Sequence, residues 1–142
     1  MLPESLQFLR LIWSLTLGLE RTSEQMATRM GVTGRQRFIL RVTGLIPGVT
    51  AGQLCAMLQI DRAALDAELD HLVASGLLTS PGGQTGPQKA LHVTPPGAAA
   101  NAKMSGTVES AVTRALDEAT PYERAAFRRM LERVTPYLEP AR

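Results

Sequence analysis

The sequence predicts a mainly α fold, a helix-turn-helix with a two-stranded β wing set between long N- and C-terminal helices. Three observations carry this prediction. Thr50 to Leu58 and Asp61 to Ser75 are short amphipathic segments joined by a tight turn, each opened by a residue suited to cap a helix. They are followed by Leu77-Leu78-Thr79 and Ala90-Leu91-His92-Val93, which read as two strands, and the intervening Ser80 to Gln88 carries three glycines and two prolines. Apolar residues at helical spacing flank this unit, Leu6, Leu9, Trp13 and Leu17 before it and Phe127, Met130, Leu131, Val134 and Leu138 after it.

The elements follow from local signals. A first helix is expected from about Pro3 to Met30, ended by Gly31. Thr33 with Gln36 three residues on forms a capping box for the second helix, whose buried side reads as Phe38, Ile39, Val42 and Leu45. Pro47-Gly48 forces a turn, and Thr50 with Gln53 repeats the capping box for a helix buried through Leu54, Cys55 and Leu58. Asp61 caps the next helix, which places Leu65, Leu69, Leu72 and Val73 on one side and stops at Gly76. Thr94-Pro95 opens another, because proline is tolerated at the first helical position, and this helix is expected to run to about Ala119. Thr120-Pro121-Tyr122-Glu123 opens the last. The expected organisation is an N-terminal dimerisation helix over 1–31, a winged helix-turn-helix over 32–95, and C-terminal dimerisation helices over 96–142. An exposed apolar stripe needs a partner, and the partner expected here is the same helices of a second chain.

Composition narrows the function. The 142 residues are 44 % apolar and only 4 % aromatic, enough for one ordinary core and more suited to helix packing than to a sheet. The apolar run from Leu11 to Leu19 is far short of the ~20 residues a membrane span needs. Glu4 rather than a basic cluster precedes it, so no signal peptide is expected. A single cysteine, Cys55, excludes an intramolecular disulfide and fits a reducing cytoplasm. Net charge is +2, but residues 50–94 hold only Arg62 and Lys89 against Asp61, Asp66, Glu68 and Asp70, so the candidate reading segment is acidic. No Ser-His-Asp set, no paired carboxylates in an evident cleft and no phosphate-cradling loop is present, so an enzyme is not expected, nor a cofactor. His71 and His92 are the only histidines and lack convergent partners, so no metal site is expected either.

Four stretches are more specific. They are Gly48-Val49-Thr50-Ala51-Gly52-Gln53-Leu54, Leu72-Val73-Ala74-Ser75-Gly76-Leu77-Leu78, Val93-Thr94 leading to Gly97, and Thr120-Pro121-Tyr122-Glu123-Arg124. With them the chain resembles the MarR family of bacterial transcriptional regulators over nearly its whole length. The resemblance implies a cytoplasmic homodimer on palindromic double-stranded operator DNA, with a small-molecule effector of unknown identity. It implies that the helix from Asp61 to Ser75 enters the major groove, with Ala63, Ala64 and Ala67 facing it. Arg62, Gln53, Gln84 and Lys89 would then supply polar contacts, Thr50 would bond a backbone phosphate, and Arg35 and Arg37 would add phosphate contacts.

The departures from that family weaken the reading. Members place Ser and Thr where Ala63 and Ala64 stand, and often Arg where Ala67 stands; alanine offers a methyl and no hydrogen bond. Asp70 would meet phosphates with the wrong sign, and the wing from Pro81 to Lys89 has neither the arginine nor the acid of the family's motif. Weak DNA binding is therefore expected. The alternative is that the fold has given up DNA reading and acts as a protein partner of another regulator, presenting an acidic, alanine-lined helix to a basic surface. Other residues carry two readings each. Cys55 is a redox sensor or a small core residue, and Trp13, Phe8 and Met26 line a ligand pocket or form one dimer stripe. Arg35, Arg37 and Arg41 track phosphate or form a solvated face, while Arg128, Arg129 and Arg133 interleave with Glu123 and Glu132 as surface pairs.

Overall fold

The computed structural model describes residues 1–82 and 86–138, and groups the chain into two units, 1–108 and 109–142. In the first, α1 spans Glu4–Met30 and ends at Gly31, whose left-handed backbone lets its N–H reach the Ala27 carbonyl. Thr33 and Gln36 make the expected capping box for α2, Gly34–Leu45. The Gly34 N–H also donates to Ser23 Oγ at 2.8 Å, which ties the start of α2 to α1. A second capping box, Thr50 with Gln53, opens α3 over Ala51–Leu58. Asp61 then caps α4, Arg62–Ala74, its Oδ1 accepting the Ala64 N–H at 2.8 Å. The helix ends in a Schellman arrangement, Gly76 N–H on the Val73 carbonyl and Leu77 N–H on that of Leu72.

The wing pairs β1, Leu78–Thr79, antiparallel with β2, His92–Val93, in the register Leu78 to Val93 and Thr79 to His92. Both strands are shorter than the sequence suggested. A segment the sequence reading treated only as a turn and a cap joins them: Thr50 bridges Ala90, and Val49 and Gly48 exchange backbone hydrogen bonds with Leu91. Ile39 and Leu40 of α2, Leu54 of α3, Leu65, Leu69 and Leu72 of α4, and Leu78 and Leu91 of the wing make one buried core. At roughly 1.5–3 kcal/mol for each fully buried aliphatic side chain, that core is the main reason these short helices persist.

Three expectations are corrected. The buried side of α2 is Ile39, Leu40 and Thr43 with Gln36 and Arg37, whereas Phe38 and Leu45 are 45 % and 69 % exposed. Ile39 and Leu40 fill the core from α2 at 0 % exposure, and with them inward Phe38 lies toward the outer side of the helix. Val73 is exposed because Leu72 already fills the last core position before the Schellman turn. The helix expected from Pro95 to Ala119 is two helices, α5 at Pro95–Asn101 and α6 at Val108–Glu118. Between them Gly106 takes a left-handed φ of 76°, and side chains of α1 and α2 take up the carbonyls that a continuous helix would have used.

In the second unit α7 spans Pro121–Val134, opened by the Thr120–Glu123 capping box and followed by a single 3-10 turn at Thr135–Leu138. The Thr120 backbone N–H on the Glu123 carboxylate, and then the Thr120 hydroxyl, lower the Glu123 pKa below the usual glutamate value. Neither α6 nor α7 has a buried residue among those described. Phe127, Met130, Leu131 and Leu138, the stripe expected to meet a second chain, stand exposed in the single chain, and Val134 is half-buried.

Candidate nucleic-acid interface

The α3–α4 pair is joined by Gln59, the one described residue other than glycine with positive φ (52°), and by Ile60, whose N–H reaches the Cys55 carbonyl. The wing is locked to the start of α3. Ala51 N–H donates to the Lys89 carbonyl at 3.0 Å, and a Cβ on Gly52 would lie only 3.0 Å from Pro87 Cβ and its carbonyl oxygen. Glycine is needed there for this close approach. Thr50, Gln53 and Lys89 are thereby brought to one place, the junction of α3 with the wing.

On α4 the outward residues are Ala63, Ala67, Asp70 and Ala74, with Ala64 half-buried beside the cap. Leu65, Leu69 and Leu72 face the core, as their spacing required. Arg62 Nε donates to Asp66 Oδ1 at 2.7 Å, so the helix's one arginine is matched by a carboxylate a turn away.

The profile of the MarR family matches residues 30–84, from the end of α1 through the helix-turn-helix into the wing. Over this segment, less than half of the chain, the sequence is similar to the MarR family. Solved structures repeat the fold across nearly the whole chain. The S. aureus MepR–DNA complex superposes with a TM-score of 0.73 at 12 % identity, covering 93 % of this chain and 98 % of that one. A MarR protein from Peptoclostridium difficile gives 0.73 at 18 % identity, covering 97 % and 92 %. The Mycobacterium tuberculosis MarR family protein Rv2887 in complex with DNA gives 0.63 at 21 %, covering 94 % and 98 %; a further structure of that protein holds p-aminosalicylic acid. No curated protein sequence matches the chain.

Within this winged helix the site residues expected from the sequence separate into groups. Thr50 and Gln53 are engaged with each other, the Thr50 N–H donating to Gln53 Oε1 and the Gln53 N–H to Thr50 Oγ1. That leaves the Gln53 amide nitrogen and the half-buried Lys89 as outward donors at the wing junction. Arg37 is 3 % exposed and donates to the carbonyls of Asn101 and Lys103 at the end of α5 and just past it, so it holds the interior and leaves the phosphate-contact set. Arg35 is exposed, but it lines a groove of about 540 Å³ with Leu19, Glu20, Glu24 and Glu68, away from the Thr50–Lys89 junction. Gln84 lies outside the described residues.

His71 on α4 donates from Nε2 to the Gly31 carbonyl at 2.8 Å, a tie to the end of α1 that no sequence pattern announced. Cys55 is half-buried beside the core. Met26 is buried, whereas Trp13 and Phe8 are 66 % and 54 % exposed in the single chain. No group of three or more metal-ligating side chains is found among the described residues, and no helix there is long and apolar enough to cross a membrane.

Proposed function

We propose that the chain is a MarR-type transcriptional regulator that binds double-stranded DNA as a homodimer, with few base-specific contacts. The observation that carries this is a helix-turn-helix with its wing fastened on: α4 presents an exposed face, α3 packs against it, and the wing is tied to α3 at Ala51–Lys89 and Gly52–Pro87. Ala63, Ala64 and Ala67 would touch thymine methyls, and Arg62, Gln53, Lys89 and the Thr50 region would hold phosphates. Exposed apolar residues on α1, α6 and α7 support dimerisation through a second copy, which palindromic reading requires. Titration against mixed genomic DNA fragments at low and at physiological salt tests the proposal. A common palindrome retained at the higher salt supports site-specific regulation.

The second reading, a protein partner in place of DNA, is favoured by one observation. Asp66 offsets Arg62, which leaves Glu68 and Asp70 as the remaining charges along α4. Retention at low salt only, or no retention, would support it. The groove beside Arg35 is the place proposed for an effector. Three carboxylates against one guanidinium favour a neutral or cationic molecule there over an anionic one.

A further inference from the structure

The outward face of α4 is a single stripe. Ala63, Ala67, Asp70 and Ala74 recur at helical spacing and are all exposed, while Leu65, Leu69 and Leu72 hold the opposite side in the core. The two side chains beside the stripe that can donate are drawn aside. Arg62 Nε donates to Asp66 Oδ1 at 2.7 Å, and His71 Nε2 donates to the Gly31 carbonyl at 2.8 Å. Asp70 is the one hydrogen-bonding side chain on the stripe itself, and a carboxylate only accepts. Bases differ in what they offer such a face. In the major groove guanine shows acceptors alone, at N7 and O6. A carboxylate that approaches adenine N6 meets adenine N7 on one side and the paired thymine O4 on the other, so two acceptors repel it. At cytosine the N4 amino group has guanine O6 on one side only, and its other neighbour is the apolar C5 edge.

We infer that α4 selects cytosine, Asp70 accepting from N4 and the methyl of Ala67 lying on the C5 edge, so that 5-methylcytosine is bound in preference to cytosine. The inference rests on the proposed DNA reading and deepens it by naming the base that the helix selects. Residues three apart on a helix have Cβ atoms about 5–6 Å apart, a span that suits the amino and C5 groups of one pyrimidine or of two stacked ones. A 5-methyl group adds apolar contact with Ala67 and leaves the N4 donor in place. Asp70 lies on the middle of the stripe rather than at its border, so it meets base edges, and Arg62, Gln53 and Lys89 are left for the phosphates. Its charge opposes every DNA sequence alike and is offset only where N4 is present, so Asp70 selects by exclusion as well as by attraction.

The test selects from two random double-stranded libraries, one made with cytosine and one with 5-methylcytosine, using the full chain as wild type, Asp70→Asn and Ala67→Ser. Both substitutions fall on the exposed face, and circular dichroism checks that the helices persist. Wild type should enrich a half-site with cytosine at a fixed position and bind its methylated form about threefold tighter by fluorescence anisotropy. Asp70→Asn, whose amide donates as well as accepts, should move that position to adenine, with a change of about tenfold in the ratio of the two affinities. It should also bind random DNA more tightly, because one negative charge is gone. Ala67→Ser should keep cytosine and lose the advantage of the methyl group. The same half-site from wild type and Asp70→Asn would overturn the inference while the DNA reading stood, as would equal affinity for methylated and unmethylated sites. Retention without any enriched sequence leaves DNA binding in place and overturns the inference. No retention from either library, even at low salt, would overturn both.

Discussion

Single residues in this chain answer for more than their size suggests. A methyl on Gly97 would press into the Leu77 carbonyl and the Val93 side chain, where α5 lies against the wing's base. Gly97→Ala should therefore destabilise the fold by roughly 1–3 kcal/mol, measured by urea denaturation. Glu123 gives a pH-dependent prediction. Its folded-state pKa is lowered, so its contribution to stability is fully present above the ordinary glutamate range and is lost as pH falls through the lowered value. The melting temperature of wild type should exceed that of Glu123→Gln near neutrality, and the gap should close in acid. A gap that persists unchanged at the lowest accessible pH would show that the charge on Glu123 is irrelevant to the cap.

At the level of elements, what the sequence reveals is what is encoded locally. The three capping boxes at Thr33, Thr50 and Thr120 and the stops at Gly31 and Gly76 appear where the residues put them, because each motif is satisfied within four or five residues. The failures are all long-range. Phe38 and Leu45 have the right spacing for a core face, yet Ile39 and Leu40 take the core positions and leave them outward. Arg37 reads as a phosphate contact because nothing near it in sequence announces carbonyls some 64 residues away. The α5–α6 break is hidden for the same reason, since Asn101 to Thr107 carries only one glycine as a local signal. At the candidate interface the alanine face of α4 is legible from periodicity, whereas the wing's lock onto Gly52 depends on tertiary contact. Installing the missing polar groups on that face should restore reading. Ala63→Thr with Ala67→Arg should raise DNA affinity and steepen its salt dependence by about one unit for each added phosphate contact, measured by fluorescence anisotropy across a salt series. No change in either would mean that α4 does not reach the groove.

At the scale of the molecule, the decisive feature is α1. Leu6, Leu9, Trp13 and Leu17 run along one side of it, while Phe8, Ile12, Leu15 and Leu19 run along another and lead toward the buried Met26. Both stripes are largely open in the single chain, and α6 and α7 add Val112, Leu116, Phe127 and Leu131. A charge placed on the first stripe, Trp13→Glu, should weaken self-association by roughly two orders of magnitude, the scale of a central aromatic anchor, as read by analytical ultracentrifugation. An unchanged sedimentation profile would exclude that stripe from the contact. A helix that needs covering on two sides also has a genetic consequence. In the proposed homodimer, parting would expose both stripes to water at once, so subunits would exchange slowly. A defective allele expressed at an equal level beside an intact one would then enter about three quarters of the randomly formed pairs, whereas the same defective protein added to finished dimers would have little effect.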